Sequence, residues 1–396
     1  MPGTTSNRSS LWFLAFTLLS FLAASTAPTP LYHLYQEHLH FSAATLTVIF
    51  GVYAISLLVA LLTVGSLSDF LGRKPVIFTA VMLNILAMLL FIKADSVAWL
   101  IAARVLQGFA TGMATAVLSA ALLDANRQQG PLINSVAPLL GMAMGAMGCG
   151  LLAEFAPLPL QLTYWLLLVM FVLQALYVWR LPESVSRQPG AWASLRPTLH
   201  VPPQARRTLW MVLPINTAVW ALGGFYASLA PSLVRTATGS TSNLIGGATV
   251  AALTVTGALM IYCLRNRPGD KVLQLGATLL PAGVALILIA VHTASLSLFF
   301  VGTLVAGCGF GAGFLGAVRS LVPLALPHER AGLMSAFYVL SYLAFCLPAL
   351  LAGSLTRTFG LVASTDAYGA VLIILALGAL FTLVRQPPVK VRSEVR

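Results

Sequence analysis

Arg104 is the clearest candidate for a functional residue, because it lies inside an apolar run long enough to span a bilayer. The run contains Arg104-Val-Leu-Gln107-Gly108, so an amide follows the arginine about one helical turn later. A charge in lipid is costly, and such an arginine is expected to face a protein interior or a wet cavity. Two interpretations stay open. The charge acts on a ligand or a proton, or the side chain extends to the nearer membrane surface, about 10 Å away.

Aromatic and amide side chains in two later apolar runs are candidates for lining a binding site. One run contains Asn216, Trp220 and Tyr226, and another contains Tyr338 and Tyr342. Aromatic rings that carry one polar atom, interleaved with an amide, suit an amphipathic organic molecule. For any single aromatic residue, ordinary packing between helices is the alternative.

The ten acidic residues limit the proton chemistry that is available. All of them fall in connections or at the ends of apolar runs, so the interior of the membrane contains no obvious proton carrier. The remaining candidates for this role are Asp69, Asp124, Glu154, His40 and His292.

The sequence lacks the residue sets of an enzyme or a metal site. It contains no nucleophile triad and no phosphate-binding loop. The four cysteines lie in or at the ends of apolar runs, without metal-ligand spacing, and are interpreted as small core residues. We therefore expect a protein that is not an enzyme and that binds no cofactor and no metal.

Composition places all these residues in a membrane protein. The chain of 396 residues is 59% apolar and only 8% charged, which is not typical of any water-soluble domain of this size. Apolar runs of about 20 residues recur and predict an all-α membrane protein with twelve transmembrane helices in two six-helix bundles. The predicted spans are 10–28, 44–67, 75–93, 97–121, 132–153, 161–181, 208–230, 243–264, 272–291, 296–320, 331–353 and 367–385. A signal peptide is the alternative for the first run.

A polar segment divides the two bundles. The predicted domains are residues 1–181, a linker at 182–207, and residues 208–396, which end in a short tail. Prolines and charges are concentrated in the linker, so it cannot stay in lipid. Most of the 22 lysines and arginines fall on the linker side, which predicts that the linker and both termini are cytoplasmic in a plasma (inner) membrane. This distribution explains the net charge of +12 without a nucleic-acid partner.

Short matching strings predict that the two bundles are repeats. Ser25-Thr-Ala-Pro28 ends the first span, and Ser228-Leu-Ala-Pro231 ends the seventh. Arg180-Leu-Pro182 ends the sixth span, and Arg385-Gln-Pro387 ends the twelfth. The nearly constant offset between the pairs indicates duplication of a six-helix unit.

The connection between the second and third spans carries a motif. It reads Gly65-Ser-Leu-Ser-Asp69-Phe70-Leu-Gly72-Arg73-Lys74-Pro75. This pattern resembles the loop 2–3 signature of the major facilitator superfamily of transporters, although Phe70 stands where the family usually has a basic residue. The resemblance implies that Gly65 lets two helices approach closely and that the basic pair faces the cytoplasm. An ordinary positively charged cytoplasmic loop is the alternative.

The resemblance also implies a conformational latch on the cytoplasmic side. Its predicted members are Gly65, Asp69, Gly72, Arg73, Lys74 and Asp124. In the form open to the outside, Asp69 meets the free amides at the start of helix 11, which is predicted near Ala331. Arg73 pairs with Asp124 and holds the loop in place. In the form open to the inside, the contact between Asp69 and helix 11 is absent.

Two glycine series predict close helix packing. Gly141, Gly145 and Gly148 share one face of helix 5, where the sequence resembles a motif of drug:proton antiporters. The proline that this motif carries after its second glycine is Ala146 here. Helix 10 repeats the spacing with Gly309, Gly313 and Gly316, which predicts a packing and gating helix.

The resemblance implies secondary active transport of a small organic solute by alternating access, as proton-coupled efflux. The arginine and glutamine of helix 4 also resemble a family motif. The predicted transport cavity is formed by Arg104, Gln107, Asn216, Trp220, Tyr226, Tyr338 and Tyr342. Uptake of a metabolite and, from another class, a membrane receptor that does not transport stay open. The expected partners are the small-molecule substrate, protons and the lipid bilayer, and we expect a monomer.

Overall fold

The fold consists of long helices. The computed structural model describes residues 4–197, 199–326 and 329–385, and within them all regular secondary structure is helical. The twelve long helices in these ranges are α1 (Thr4–Thr26), α2 (Ala43–Val64), α3 (Arg73–Ile92), α4 (Val97–Ala125), α5 (Gly130–Phe155), α6 (Leu162–Val178), α7 (Pro203–Ser228), α8 (Asn243–Leu264), α9 (Gly269–His292), α10 (Leu296–Leu321), α11 (Arg330–Phe359) and α12 (Leu361–Arg385).

The long helices make this a multi-pass membrane protein. Among the described residues, eleven helices are long and apolar enough to cross a membrane, when α1 is taken together with the short helices that continue it to Leu39. The twelfth, α6, is apolar and has 17 residues, which is the lower limit for a span. The predicted all-α membrane fold is confirmed.

Exposed tryptophans mark two levels along the helices. Trp12, Trp179 and Trp210 lie at the ends of α1, α6 and α7 that meet the segment between α6 and α7. Trp99 and Trp165 lie near the starts of α4 and α6, at the opposite ends of the bundle. Tryptophan is enriched at both boundaries of a bilayer. We call the surface that carries the segment between α6 and α7 the linker face, and the opposite surface the far face.

Each half has a hydrophobic core of its own. One cluster of buried side chains extends from Leu11 to Leu181 and draws on α1–α6, and a second extends from Ala205 to Ala379 and draws on α7–α12. Two smaller clusters join the halves. One places Phe50 and Tyr53 of α2 against Phe345 and Cys346 of α11, and the other places Leu139 of α5 against Ala258 of α8.

Short helices follow α1 and α7, and sequence reasoning missed both. They are Tyr32–Leu39 and Ala230–Thr238. The first begins four residues after the string that ends at Pro28, and the second begins inside the other string, at Ala230. In both strings a proline falls close to the end of a long helix. The predicted spans ended at 28 and 230 because apolarity decreases there. Duplication of a six-helix unit predicts such a correspondence between the halves.

Four helix ends differ from the predicted ones by five residues or more, and one of them is the start of α1, at Thr4 instead of 10. Helix α11 continues to Phe359 instead of ending at 353, so that Arg357 lies in its last turn. Helix α12 begins at Leu361 rather than 367, because Gly360 adopts φ +80° and allows a turn of a single residue. Helix α7 begins at Pro203, within the predicted linker, since proline suits the first turn of a helix.

Glycines in α5 bring it against α1, but only in part as predicted. A Cβ at Gly141 would overlap the Leu19 carbonyl oxygen, and one at Gly145 would overlap the Ala23 carbonyl oxygen. Nothing lies within 4 Å of the Cβ position of Gly148. No neighbouring helix therefore requires a glycine at position 148, and the packing role predicted for Gly148 is wrong.

The three predicted glycines of α10 all lie against α9, and a Cβ at Gly276 of α9 would overlap the backbone of Gly313. Cβ atoms at Gly309 and Gly316 would meet Leu280 and Leu273 of α9, as expected for a shared face. At Gly313 itself, a Cβ would lie 2.7 Å from Val219 of α7. Helix α10 is thus thinned on two sides, because it packs between α9 and α7.

We expect Gly145→Ala to destabilise the protein and Gly148→Ala not to. The added methyl group at Gly145 meets backbone on α1, and overpacking of this kind costs about 1–3 kcal/mol. At Gly148 the methyl group has space, and alanine improves helix propensity by up to about 1 kcal/mol. Thermal unfolding of the two purified variants measures the difference. Equal melting temperatures would contradict the close approach of α1 and α5.

Candidate functional site

Arg104 of α4 binds the end of α1. Its side chain is buried, and Nη1 donates to the Ser25 carbonyl oxygen at 2.9 Å and to Gln107 Oε1 at 2.7 Å. Gln107 Nε2 in turn donates to the Ala24 carbonyl oxygen at 2.9 Å. Both carbonyls belong to the last turn of α1, where carbonyl groups lack partners within the helix and carry partial negative charge. Arg104 therefore points to polar neighbours within its own half.

The charge of Arg104 is balanced only by partial charges. None of the described carboxylates lies within 4 Å of its guanidinium. The Tyr53 ring covers it, with 4.3 Å between Cζ and the ring centroid. A helix end contributes up to about 2 kcal/mol and a desolvated cation–π contact about 2 kcal/mol, whereas burying an ion costs several kcal/mol. An anion beside Arg104 would therefore be strongly stabilised.

Aromatic side chains connect the two halves close to Arg104. Trp220 of α7 lies against Tyr342 of α11, with 4.9 Å between ring centroids, and Tyr338 is 6.4 Å from Trp220. Trp220 and Tyr342 also pack on the cluster that contains Tyr53 of α2 and Phe345 of α11. We call these five residues the aromatic cluster. Tyr53 links it to Arg104, because one ring contacts both.

The C-terminal half adds unpaired polar atoms beside the aromatic cluster. Asn216 lies one turn before Trp220 on α7, and its Nδ2 donates to Ser341 Oγ at 2.9 Å. Its Oδ1 and the Trp220 Nε1 are both buried without a hydrogen-bond partner. Leaving such a group unpaired costs about 1–3 kcal/mol, so both atoms are positioned to bond a ligand.

Tyr226 lies elsewhere. Its hydroxyl group and that of Thr303 are 2.6 Å apart in the core of the C-terminal half, and only 2% of the side chain is exposed. Six residues separate it from Trp220, which turns it to another face of α7. The prediction that Tyr226 lines the same site as Trp220 is therefore wrong. The structure brings together Arg104, Gln107, Trp220, Tyr342, Tyr338 and Asn216, and it adds Tyr53, which the sequence did not single out.

Polar contacts join the two halves on the far face. Thr29 Oγ1 donates to the Ala227 carbonyl oxygen at 2.9 Å. Arg357 Nη2 of α11 donates to Ser42 Oγ, which caps α2, at 2.9 Å. A Cβ at Gly353 would overlap the Thr47 side chain, so α2 and α11 touch at this level. The halves are held together on this face.

Glu154 makes the most direct of the far-face contacts. Its Oε2 accepts a hydrogen bond of 2.7 Å from the backbone N–H of Asn243, the first residue of α8. Asn243 Nδ2 donates back to the Ala153 carbonyl oxygen at 3.3 Å. A carboxylate at a helix N-terminus is favourable because the free amides carry partial positive charge. The arrangement is the one that the sequence analysis predicted for Asp69, but it occurs on the opposite face.

On the linker face, Arg73 of the motif forms ion pairs with two acids of its own half. Arg73 Nε donates to Asp124 Oδ2 at 3.0 Å, which is the predicted pair, and Arg73 Nη1 lies 2.5 Å from Asp69 Oδ1. Asp69 is half exposed, and it makes no hydrogen bond with the described residues of α11, which begins at Arg330. Asp69 is thus held within its own half in this structure.

Two glycines of the motif shape the chain locally. A Cβ at Gly65 would overlap the Leu61 carbonyl oxygen of its own helix, so Gly65 serves the end of α2 and not the predicted approach of two helices. Gly72 has φ +94°, and a Cβ there would lie 2.8 Å from the Glu183 carboxylate. That carboxylate accepts from the backbone N–H of Arg73 at 2.7 Å and of Lys74 at 3.0 Å.

Phe70 is a contact for the linker segment. The backbone N–H of Gln188 donates to the Phe70 carbonyl oxygen at 2.9 Å. A Cβ at Gly190 would lie 3.3 Å from the Phe70 ring, and Ser66 Oγ donates to the Ser194 carbonyl oxygen at 3.1 Å. The residue that departs from the family motif therefore binds the segment that follows α6.

Two solved structures have the same fold. A crystal structure of a mutant of the nucleoside transporter NupG aligns with a TM-score of 0.71 at 12% identity and covers 94% of this chain and 99% of that chain. A crystal structure of the human organic anion transporter MFSD10 (TETRAN) aligns with a TM-score of 0.69 at 20% identity, over 96% of this chain and 100% of that chain. No curated protein sequence matches significantly.

The sequence itself also matches a family. The family model of the Major Facilitator Superfamily covers residues 13–347, well over half of the chain and parts of both halves. This match includes the motif at Gly65–Lys74, the Arg104 site and most of α11. It agrees with the fold and identifies a transporter rather than an enzyme. The protein belongs to the Major Facilitator Superfamily.

Proposed function

We propose that this protein exports a small organic solute by alternating access, in exchange for protons. The observation that carries the proposal is the distribution of contacts between the halves. Polar contacts join them on the far face, at Glu154 and Asn243 among others, whereas Asp69 on the linker face is held within its own half. A binding site between two halves that separate at one face at a time is the basis of alternating access.

The linker face is assigned to the cytoplasm of a plasma membrane. Most lysines and arginines lie on this face, which the positive-inside rule places inside. Both termini are then cytoplasmic. With this orientation, the contacts on the far face close the protein to the outside.

The solute is proposed to bind between Arg104 and the aromatic cluster. Arg104 and Gln107 supply polar groups from one half, and Asn216 and Trp220 supply them from the other. A site of stacked rings with a few polar atoms suits a molecule that is part apolar and part polar. The names of the two similar structures, a nucleoside transporter and an organic anion transporter, make these the first classes of solute to test.

Glu154 is the proposed site of proton coupling. Its carboxylate bonds the first amide of α8 across the halves, and protonation would remove the charge that the helix end favours. A proton taken up from outside would then weaken the contact that closes the far face. This assignment needs no acid in the interior of the membrane, and the sequence provides none there.

Counterflow in proteoliposomes tests transport itself. Vesicles with purified protein are loaded with an unlabelled nucleoside or organic anion, and entry of the labelled compound is measured. Faster exchange than in protein-free vesicles supports the proposal. Folded protein that exchanges no compound of the panel would instead favour a receptor. An imposed pH gradient then separates the directions, because efflux driven by protons requires solute and protons to move oppositely, whereas proton-coupled uptake moves them together.

We expect Asp69→Asn to shift the protein further toward the form that is closed on the far face. In the opposite form, the proposed latch places Asp69 at the start of α11, where a charge contributes about 0.3–1 kcal/mol. Turnover should therefore decrease more than binding. Labelling of introduced cysteines from both sides of the membrane measures the shift. Asp270→Asn is the control, since Asp270 is an exposed acid on the same face of the other half. Unchanged labelling in Asp69→Asn would rule out the latch.

A further inference from the structure

Only two charged side chains are buried among the described residues, and they differ in their partners. Arg73 lies at the linker face and has both Asp69 and Asp124 as counter-charges. Arg104 is more deeply buried, with 1% of its surface exposed, and none of the described acids neutralises it. Buried charges in proteins are ordinarily paired. Arg104 therefore lacks the negative charge that its burial calls for.

The contacts with the end of α1 explain only some of the hydrogen-bond donors of the guanidinium. Both hydrogen bonds, to Ser25 and to Gln107, use Nη1. The Nε N–H is buried and has no hydrogen-bond partner. The edge of arginine that includes Nε matches the two oxygens of a carboxylate or a related anion. A residue that served only to cap α1 would not leave this buried edge unpaired.

The surroundings of this unpaired edge are aromatic. The Tyr53 ring lies against one face of the guanidinium, and the Tyr32 hydroxyl lies near it as well. Tyr53 also packs in the cluster that Trp220 and Tyr342 contact from the other half. A molecule that places its charge at Arg104 can therefore place a flat, apolar body on these rings.

We propose that the transported solute is an organic anion, with its negative group on the Nε edge of Arg104 and its aromatic or apolar body on Tyr53, Trp220 and Tyr342. The inference rests on the proposed transport function and names its class of substrate. The unpaired Asn216 Oδ1 and Trp220 Nε1 then bond polar substituents of the body. Neutral analogues lack the group that satisfies Arg104, and cations are repelled by it.

Binding to the purified full-length protein tests this inference independently of transport. The probes are aromatic carboxylates, beginning with benzoate and larger ring systems, and each is paired with its own primary amide. Thermal stabilisation and calorimetry give the affinities. We expect carboxylates to bind about tenfold or more tightly than their amides, since a hydrogen-bonded ion pair is stronger than a neutral one.

The variants Arg104→Gln and Arg104→Lys separate charge from shape. Glutamine keeps an N–H donor near the position of Nε but loses the charge, so the preference for carboxylates should disappear. Lysine keeps the charge without the forked edge, so a reduced preference should persist. Equal affinity for carboxylates and amides in the wild type, a preference that survives in Arg104→Gln, or no carboxylate that binds would each overturn the proposal.

Inorganic anions and transport are tested separately on the same protein. Stabilisation by sodium chloride equal to that by carboxylates, at the same ionic strength, would assign the site to an inorganic anion and overturn the proposal. Carboxylates that bind with the expected preference but never exchange in counterflow would support the anion site and contradict the transport function. The two failures are thus distinguishable.

Discussion

Replacement of Arg104 by alanine is expected to abolish transport without preventing insertion into the membrane. The guanidinium is the only charged group of the proposed solute site, and Tyr53 and Gln107 are both arranged around it. Loss of one partner of a buried charge pair costs about 2–5 kcal/mol, which corresponds to a decrease of about 30-fold or more in solute affinity. Initial rates of counterflow at subsaturating solute measure this decrease.

Arg187→Ala is the matched control for this variant. Arg187 is an exposed arginine in the segment after α6, so its removal changes the net charge equally but leaves the site between the halves intact. Amounts of each variant in the membrane and their melting temperatures show whether the loss of the α1 contacts has unfolded the protein. Normal transport by folded Arg104→Ala would mean that Arg104 has a structural role only.

Glu154→Gln is expected to open the far face. The glutamine side chain still accepts a hydrogen bond from the Asn243 N–H, but it loses the charge that the N-terminus of α8 favours. A charge at a helix end contributes about 0.3–1 kcal/mol, and up to about 2 kcal/mol when partly buried. The ratio of the two conformations should therefore shift by about twofold to 30-fold toward the form open on the far face.

A cysteine at position 47 reports this shift. Thr47 of α2 is buried against Gly353 of α11. Thr47→Cys should therefore react slowly with an impermeant maleimide while the far face is closed. Labelling of intact cells, with the native cysteines replaced, should become faster in Glu154→Gln. Asp95→Asn is the control, because Asp95 is an exposed acid near the same face. Equal labelling rates in the presence and absence of Glu154→Gln would exclude Glu154 from the closure.

The helices were predictable because each one is a long apolar run, and length and hydropathy report crossing of a bilayer directly. Arg104 and the Arg73–Asp124 pair were also within reach, since a charge next to or inside an apolar run has few possible partners. The resemblance to the family motifs supplied the expected roles of these residues. The positions of Gly141 and Gly145 followed from helical periodicity, which is a local property.

Contacts between helices far apart in sequence were not predictable in the same way. Gly148 obeys the same periodicity as Gly141 and Gly145, but nothing lies within 4 Å of its Cβ position, and periodicity alone does not tell whether a second helix faces a residue. Tyr53 and Tyr226 are both tyrosines in apolar helices, and only the packing puts one on Arg104 and the other in a core. Glu154 was visible as an acid, but the partner across the halves was not.

Asp69 does not become a free charge when it is away from α11, because Arg73 holds it. The Asp69 carboxylate is half exposed, so water weakens its ion pair with the buried Arg73 to about 0–1 kcal/mol, close to the roughly 0.3–1 kcal/mol of an exposed carboxylate at a helix end. In the proposed cycle, Asp69 therefore exchanges one partner for another, and the contact with α11 keeps only a small advantage, which Asp69→Asn removes. The contacts of Asp69 then contribute little to the energy difference between the two conformations, although each conformation has its own partner for Asp69. Small biases, such as one proton or one bound solute, are enough to direct the cycle.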